Sequence, residues 1–211
     1  MALLLPTRED LANVFKHLLD LKIPLVGGAD HGYSEAIYLE DLEGNCIELY
    51  RDNPVTVWDI REDGRIIGVI EELSAQAIYE LGKELDPFAI ASGTRMGHVH
   101  LSVKNGREVS AFSQEFLGLE DKFTIPHASW IASGAYHHHL AVNEWGGKNL
   151  VRREHGMMGL AYYVVEVENK EFLVNLFTQA QDWQEQLRWI SSSEFSVTDK
   201  DGIVTRVRVE N

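Results

Sequence analysis

Met96–Asn105 reads M-G-H-V-H-L-S-V-K-N. Its period-two alternation marks a β-strand with His98 and His100 on one face and Val99, Leu101 and Val103 on the other. A helix-patterned run follows at roughly Glu108–Phe116, then two or three β-patterned runs, Asp121–Ile125, Ser129–Ser133 and Tyr136–Asn143. The segment reads βαβββ, and the order recurs. Leu160–Asn169 is a strand. An amphipathic helix runs from Lys170 to about Leu187, and strands near Glu194–Thr198 and Val204–Glu210 flank the D-K-D-G turn at Asp199–Gly202. The N-terminal segment repeats it once more. Ala2–Leu5 is a short strand, Thr7 is placed as an N-cap with Asp10 three residues on, and Leu11, Val14, Phe15, Leu18 and Leu19 recur at helical spacing. Pro24 and Gly27-Gly28 end that segment, and Ser34–Leu39 and Cys46–Tyr50 form a hairpin across D-L-E-G-N.

Tandem βαβββ units make an α+β protein. The units run over 1–51, 95–145 and 158–211. Residues 52–94 form a linker that carries Trp58 and a helical stretch, Glu71–Leu85, ended by Asp86-Pro87, and it is expected to pack.

Composition narrows the function. The 211 residues suffice for a real hydrophobic core, and the formal net charge of −14 opposes a phosphate backbone, so nucleic acid is a poor partner. No apolar run reaches membrane-spanning length, and MALLLPTRED lacks a basic lead, so neither a membrane span nor a signal peptide is expected. One cysteine, Cys46, excludes an intrachain disulfide and suits a reducing cytoplasm.

Residues 29–48 read A-D-H-G-Y-S-E-A-I-Y-L-E-D-L-E-G-N-C-I-E and set His31, Tyr38 and Glu48 on two β-patterned runs joined by a tight turn. An imidazole, a phenol and a carboxylate so placed suit one metal centre and one acidic substrate. The stretch resembles the signature of type I extradiol ring-cleaving dioxygenases of the vicinal oxygen chelate superfamily. Its spacing is kept throughout; Ala29 stands where a Gly or small β-former is usual and Leu42 where the turn has Pro.

That resemblance implies curled mixed sheets built from paired βαβββ units. Relatives of the catechol 2,3-dioxygenase type carry four, so this chain looks like one lacking the first. The resemblance also implies ligands on the first and last strands of each unit. The first-strand register, an apolar residue five on and Asn, Asp or Thr seven on, selects His98 in the middle unit and Tyr162 in the last. In the first unit it falls one residue before Met1. The last-strand register, four after a turn glycine, selects Glu48, His138 and Arg206, of which Arg206 cannot bind a cation. Carried over, Glu48 and His98 are metal ligands, His138 is the acid–base group, with His139 as fallback, and His31 and Tyr38 contact the substrate oxygens. The implied cofactor is Fe(II), or Mn(II), which accepts the same donors. The implied substrates are O2 and a small catechol or hydroquinone, with the site incomplete in this chain and a homodimer covering the unpaired unit. The alternative is a non-catalytic or glyoxalase-like protein of the same superfamily that binds a small molecule.

The remaining residues read as ordinary structure. His100 is structural, His17 solvated, His127 a connection residue and His155 a surface group. Cys46 is a packing residue, and Trp130, Trp145, Trp183 and Trp189 are core or interface. If Tyr136–Asn143 is a strand, His138 faces away from His137 and His139.

Overall fold

The computed structural model describes residues 1–210 other than Lys148, Arg153, His155 and 181–185. His155, Trp183 and part of the run extended to Leu187 therefore lie outside the described residues. The chain divides into two compact units, Met1–His100 with Ala135–Leu140, and Leu101–Gly134 with Ala141–Asn211.

In chain order the elements are β1 (Ala2–Leu4), α1 (Arg8–Asp20), β2 (Gly27–Asp30), β3 (Ser34–Glu40), β4 (Cys46–Asp52), β5 (Asp59–Ile60), β6 (Ile66–Ile67), β7 (Glu71–Glu72), α2 (Ala75–Leu81) and β8 (Arg95–Ser102). There follow α3 (Gly106–Leu117), β9 (Glu120–Ile125), β10 (Ala128–Ala132), β11 (Leu140–Asn143), β12 (Tyr163–Val167), α4 (Lys170–Gln179), β13 (Gln186–Ser191), β14 (Glu194–Thr198) and β15 (Val204–Val209). The order βαβββ occurs three times, in an α+β fold of mixed sheets.

In the first unit the strands run β7-β2-β3-β4-β1-β8, with β1 parallel to β4 and antiparallel to β8. One face packs on α1 and α2 through Leu5, Leu11, Phe15, Ile37, Leu49 and Ile78. Thr7 caps α1: its hydroxyl oxygen accepts the Asp10 N–H at 3.1 Å and its O–H donates to the Asp10 carboxylate at 2.7 Å. Asn105 and Asn169 cap α3 and α4 in the same way, through the Glu108 and Phe172 N–H groups. The Asn-or-Thr position of the first-strand register is thus the helix N-cap in all three repeats.

In the second unit β12-β15-β14-β13 form a four-stranded sheet, β12 and β15 parallel and the others antiparallel. Its core joins Phe112 and Phe116 of α3 to Leu173 and Leu176 of α4 and to Phe195, Val197 and Val207. No helix among the described residues is long and apolar enough to cross a membrane.

Four elements depart from the sequence reading. The helix of 71–85 is only Ala75–Leu81, stopped by Gly82, and Glu71–Glu72 instead pairs with β2 at Ala29 and Asp30. Gly27-Gly28 opens β2, because glycine allows backbone close to Leu73: a Cβ on Gly28 would collide with that side chain. Tyr136–His139 is a loop, and β11 begins at Leu140. Helix α4 ends at Gln179, and Gln186–Ser191 is a strand antiparallel to β14.

On the helix-facing side, Glu35 accepts two hydrogen bonds from Arg8, at 2.7 and 2.9 Å, and one from Arg51 Nε at 2.9 Å. Burial alone would raise the Glu35 carboxyl; the two guanidinium groups outweigh it and hold the carboxyl below its usual range. A folded-state pKa held down makes the group stabilising above the unfolded value, about 4.3, and that stabilisation is lost as pH falls through the lowered pKa. Glu35→Gln is expected to cost about 3 kcal/mol at neutral pH, since it leaves Arg51 half-buried and unpaired, and to flatten the acid limb of stability. Urea unfolding at pH 7 and across the acid range checks both.

Candidate functional site

The other face of the first unit's sheet carries the site. Strand register aligns Gly27, Tyr38, Glu48, Ala2 and His98 in one row across β2, β3, β4, β1 and β8. Residues in a row share a face. Glu48 and His98 sit two strands apart, a backbone separation of roughly 10 Å. Their side chains meet above the fully buried Ala2, with His98 Nε2 donating to Glu48 Oε2 at 2.9 Å.

His31, in the turn after β2, has Nδ1 2.9 Å from the Val69 carbonyl and Nε2 2.7 Å from the Tyr38 hydroxyl. A carbonyl only accepts, so His31 Nδ1 bears a proton, and Nε2 shares a hydrogen bond with the Tyr38 hydroxyl. Glu48 Oε1 lies 3.4 Å from the same hydroxyl.

Strand β4 supplies two more groups at period two, Tyr50 and Asp52. The Asp52 carboxylate accepts from Tyr136 at 3.1 Å and from His137 Nε2 at 2.9 Å, and the Tyr50 and Tyr136 hydroxyls are 3.0 Å apart. His137 and His138 are both buried, with their Nδ1 atoms 2.7 Å apart. The His138 ring centroid is 4.1 Å from that of His98. The expected opposition of His137 and His138 fails because their segment is a loop. His139, the fallback, is exposed and its ring lies 4.9 Å from Tyr136. Trp58 of the linker donates its indole N–H to the Asn53 carbonyl at 2.8 Å and packs with Tyr33 and Ile66.

The electrostatics follow from burial. Burial raises the Glu48 carboxyl, but the hydrogen bond and charge of His98, with His31 and His100, bring it below the ordinary value, so it is a carboxylate. Burial pushes His138 well below the usual imidazole range, lowers His137 against the pull of Asp52, and takes half-buried His100 down to about 4. Burial raises the phenols of Tyr33, Tyr38, Tyr50 and Tyr136. At neutral pH His100, His137 and His138 are therefore neutral imidazoles, beside neutral phenols and the Glu48 carboxylate.

These donors match a divalent ion in part. Adjacent ligands of an octahedral ion held at about 2.1 Å lie about 3 Å apart. The 2.9 Å between His98 Nε2 and Glu48 Oε2 is that spacing, and His98 Nδ1 is a buried nitrogen without a hydrogen-bond partner among the described residues. No group of three His, Cys, Asp or Glu converges to hold a metal among the described residues. Among the described residues, Glu48 and His98 are two donors at the spacing of adjacent ligands.

The corresponding positions in the last repeat are filled otherwise. The Arg206 guanidinium sits 3.7 Å above the Tyr162 ring centroid, with Nη1 3.4 Å from Glu194. A cation held by the protein stands where the register would place a metal.

The residues read as ordinary structure divide. Trp130 stacks on Phe123 and Trp189 on Phe177, whereas Trp145 is exposed. His127 is exposed beside Glu144, with 3.2 Å between Nδ1 and the carboxylate. His17 is half-buried and stacks on Phe88 at 3.7 Å rather than being solvated. Cys46 is exposed rather than packed. A cleft of about 410 Å³ in the second unit is lined by Arg107, Gln114, Asp121, Thr124 and His127. Within it Thr124 pairs with Asp121 and Ser129.

No family model matches the chain. Over 174 residues, 82% of its length, it is 32% identical to catechol-2,3-dioxygenase of Bacillus subtilis (strain 168). The chain belongs to the vicinal oxygen chelate superfamily. The match spans 61% of that relative. Similar solved structures include the fosfomycin resistance protein FosX of Listeria monocytogenes, with TM-score 0.41 and 13% identity, covering 56% of this chain and 93% of that one. Lactoylglutathione lyase of Agrobacterium tumefaciens gives TM-score 0.41 and 14% identity, covering 55% and 92%. Likeness at this level carries no functional argument.

The row makes a prediction about its smallest inward side chain. Ala2→Leu drives an isobutyl group between Glu48 and His98 and is expected to cost about 1–3 kcal/mol by overpacking. It also removes the hydrogen-bonded His98 Nε2–H signal from the proton NMR spectrum, while Ala2→Gly retains that signal.

Proposed function

We propose that this chain carries the metal-site face of an extradiol ring-cleaving dioxygenase that acts on a small catechol or hydroquinone with O2. The observation that carries the reading is the row in which Tyr38, Glu48 and His98 stand side by side with His31 bound to Tyr38. The similarity to catechol-2,3-dioxygenase of Bacillus subtilis supports the same chemistry.

His98 and Glu48 would hold the ion, Fe(II) or else Mn(II). What it supplies when bound is positive charge that ionises a phenolic hydroxyl and electrons for reaction with O2. The protein's own groups do the proton work. Tyr38, kept protonated by burial, offers oxygen lone pairs to a diol hydroxyl and passes its own proton to His31 Nε2, whose ring is fixed through Val69. His138, neutral at pH 7, is a proton acceptor beside His98. Buried Tyr33, Tyr50 and Trp58 keep the surroundings apolar.

A second reading has a specific observation behind it: with two converging donors rather than three among the described residues, the chain binds a small molecule without turning it over. Metal analysis of anaerobically purified protein, followed by oxygen uptake with a catechol and a hydroquinone, decides between them. Stoichiometric iron with uptake is expected, and neither metal nor uptake selects the binder. His98→Ala and Glu48→Ala are expected to lose the metal. Tyr38→Phe is expected to keep it while slowing turnover by about 10²-fold or more.

We also propose a homodimer. The first strands of two repeats, β1 and β8, pair antiparallel, whereas β12, the first strand of the third, ends its four-stranded sheet with Tyr162 and Val164 exposed. A second copy's β12 is its complement. Sedimentation equilibrium is expected to show twice the chain mass, and a monomer at micromolar concentration overturns this.

A further inference from the structure

We propose that Asp52 and His137 are positioning residues that hold His138 in the tautomer protonated at Nδ1, leaving Nε2 as its lone-pair nitrogen. Three side chains within the first unit form a line along which the protons can be counted. Asp52 is a carboxylate that already accepts the Tyr136 hydroxyl, so its 2.9 Å contact with His137 Nε2 requires the proton on that nitrogen. A neutral His137 then has a bare Nδ1. That atom lies 2.7 Å from His138 Nδ1, a distance at which one nitrogen must donate, and only His138 has a proton to give. The reverse arrangement needs an imidazolium at His137, whose ring is 1% exposed, beside a second ring that is 4% exposed.

The chain is held in place sterically. The Tyr33 ring stacks on His137 at 4.2 Å and 13°, Tyr136 covers it at 4.1 Å, and Trp58 lies at 5.2 Å. His137 therefore cannot turn to offer its other nitrogen. Its two nitrogens are both committed, one to a carboxylate and one to a neighbouring imidazole, so a carboxylate fixes a histidine tautomer through an intervening histidine. His138 Nε2 is left to take an electrophile, either a proton or a divalent cation, next to His98. Only the identity of that electrophile rests on the function proposed above; the tautomer does not.

The test uses the full chain labelled with 15N-histidine. Long-range proton–nitrogen spectra at neutral pH without metal are expected to show His138 protonated at Nδ1 and bare at Nε2, and His137 the opposite. His137→Phe keeps the stack on Tyr33 and removes the acceptor, and is expected to move the His138 proton to Nε2. Asp52→Asn keeps the shape and removes the charge, and is expected to mix the two tautomers in a chain whose near-ultraviolet circular dichroism is unchanged. In both variants Zn(II) affinity, read by titration calorimetry, is expected to fall about 10–100-fold, the usual cost of losing such an orienting partner. A wild-type His138 protonated at Nε2, a doubly protonated His137, or a folded Asp52→Asn with wild-type tautomer populations overturns the proposal. Absence of oxygen uptake together with the expected tautomers counts against the dioxygenase reading alone.

Discussion

Glu48 and His98 stand on strands that are not neighbours, and the strand between them contributes Ala2 to their row. Two functional side chains can meet across an intervening strand only if that strand offers almost no side chain at the crossing point. The methyl group of Ala2 does so. The site's width is thus a packing property of β1, not a property of the chemical groups themselves.

Much of this was legible in the sequence. The βαβββ order came from period-two and helical runs, and the register residues Thr7, Asn105 and Asn169 stood out because a strand that leads straight into a helix needs an N-cap. His31, Tyr38, Glu48 and His98 converge as their spacing suggests, because strand pairing translates spacing along the chain into position on a face. His138 joins them from a loop rather than from a strand.

What was missed has physical causes. Asp52 lies four residues beyond Glu48 on the same strand face, and period-two counting from Glu48 would have found it; a boundary drawn at residue 51 hid it. His137 was assigned to the wrong side because alternation was extended into a loop. Tyr33, Tyr136 and Trp58 enter through tertiary packing around His137, which no local pattern encodes. Gly27 and Gly28 looked like the end of an element, although close approach of Leu73 is the reason for glycine at position 28. In the last repeat the pair Tyr162 and Arg206 looked merely degenerate, and only their stacking reveals that the vacated positions interact with each other.

The ion cluster on the opposite side of the sheet bears on all of this through the pleat. Glu35 and Arg51 face each other in the same β3–β4 ladder that sets Tyr38 opposite Glu48, and Arg8 ties Glu35 to the helix above. Sliding β4 by one residue would turn Ile47, Leu49 and Arg51 into the pocket and send Glu48, Tyr50 and Asp52 toward α1. The buried salt bridge would be broken in the same motion, so the slipped alignment carries the penalty of separated charges as well as exposed apolar groups. Arg8, Glu35 and Arg51 touch none of the site's side chains, yet they act as its alignment pin: the chemistry on one face is indexed by electrostatics on the other.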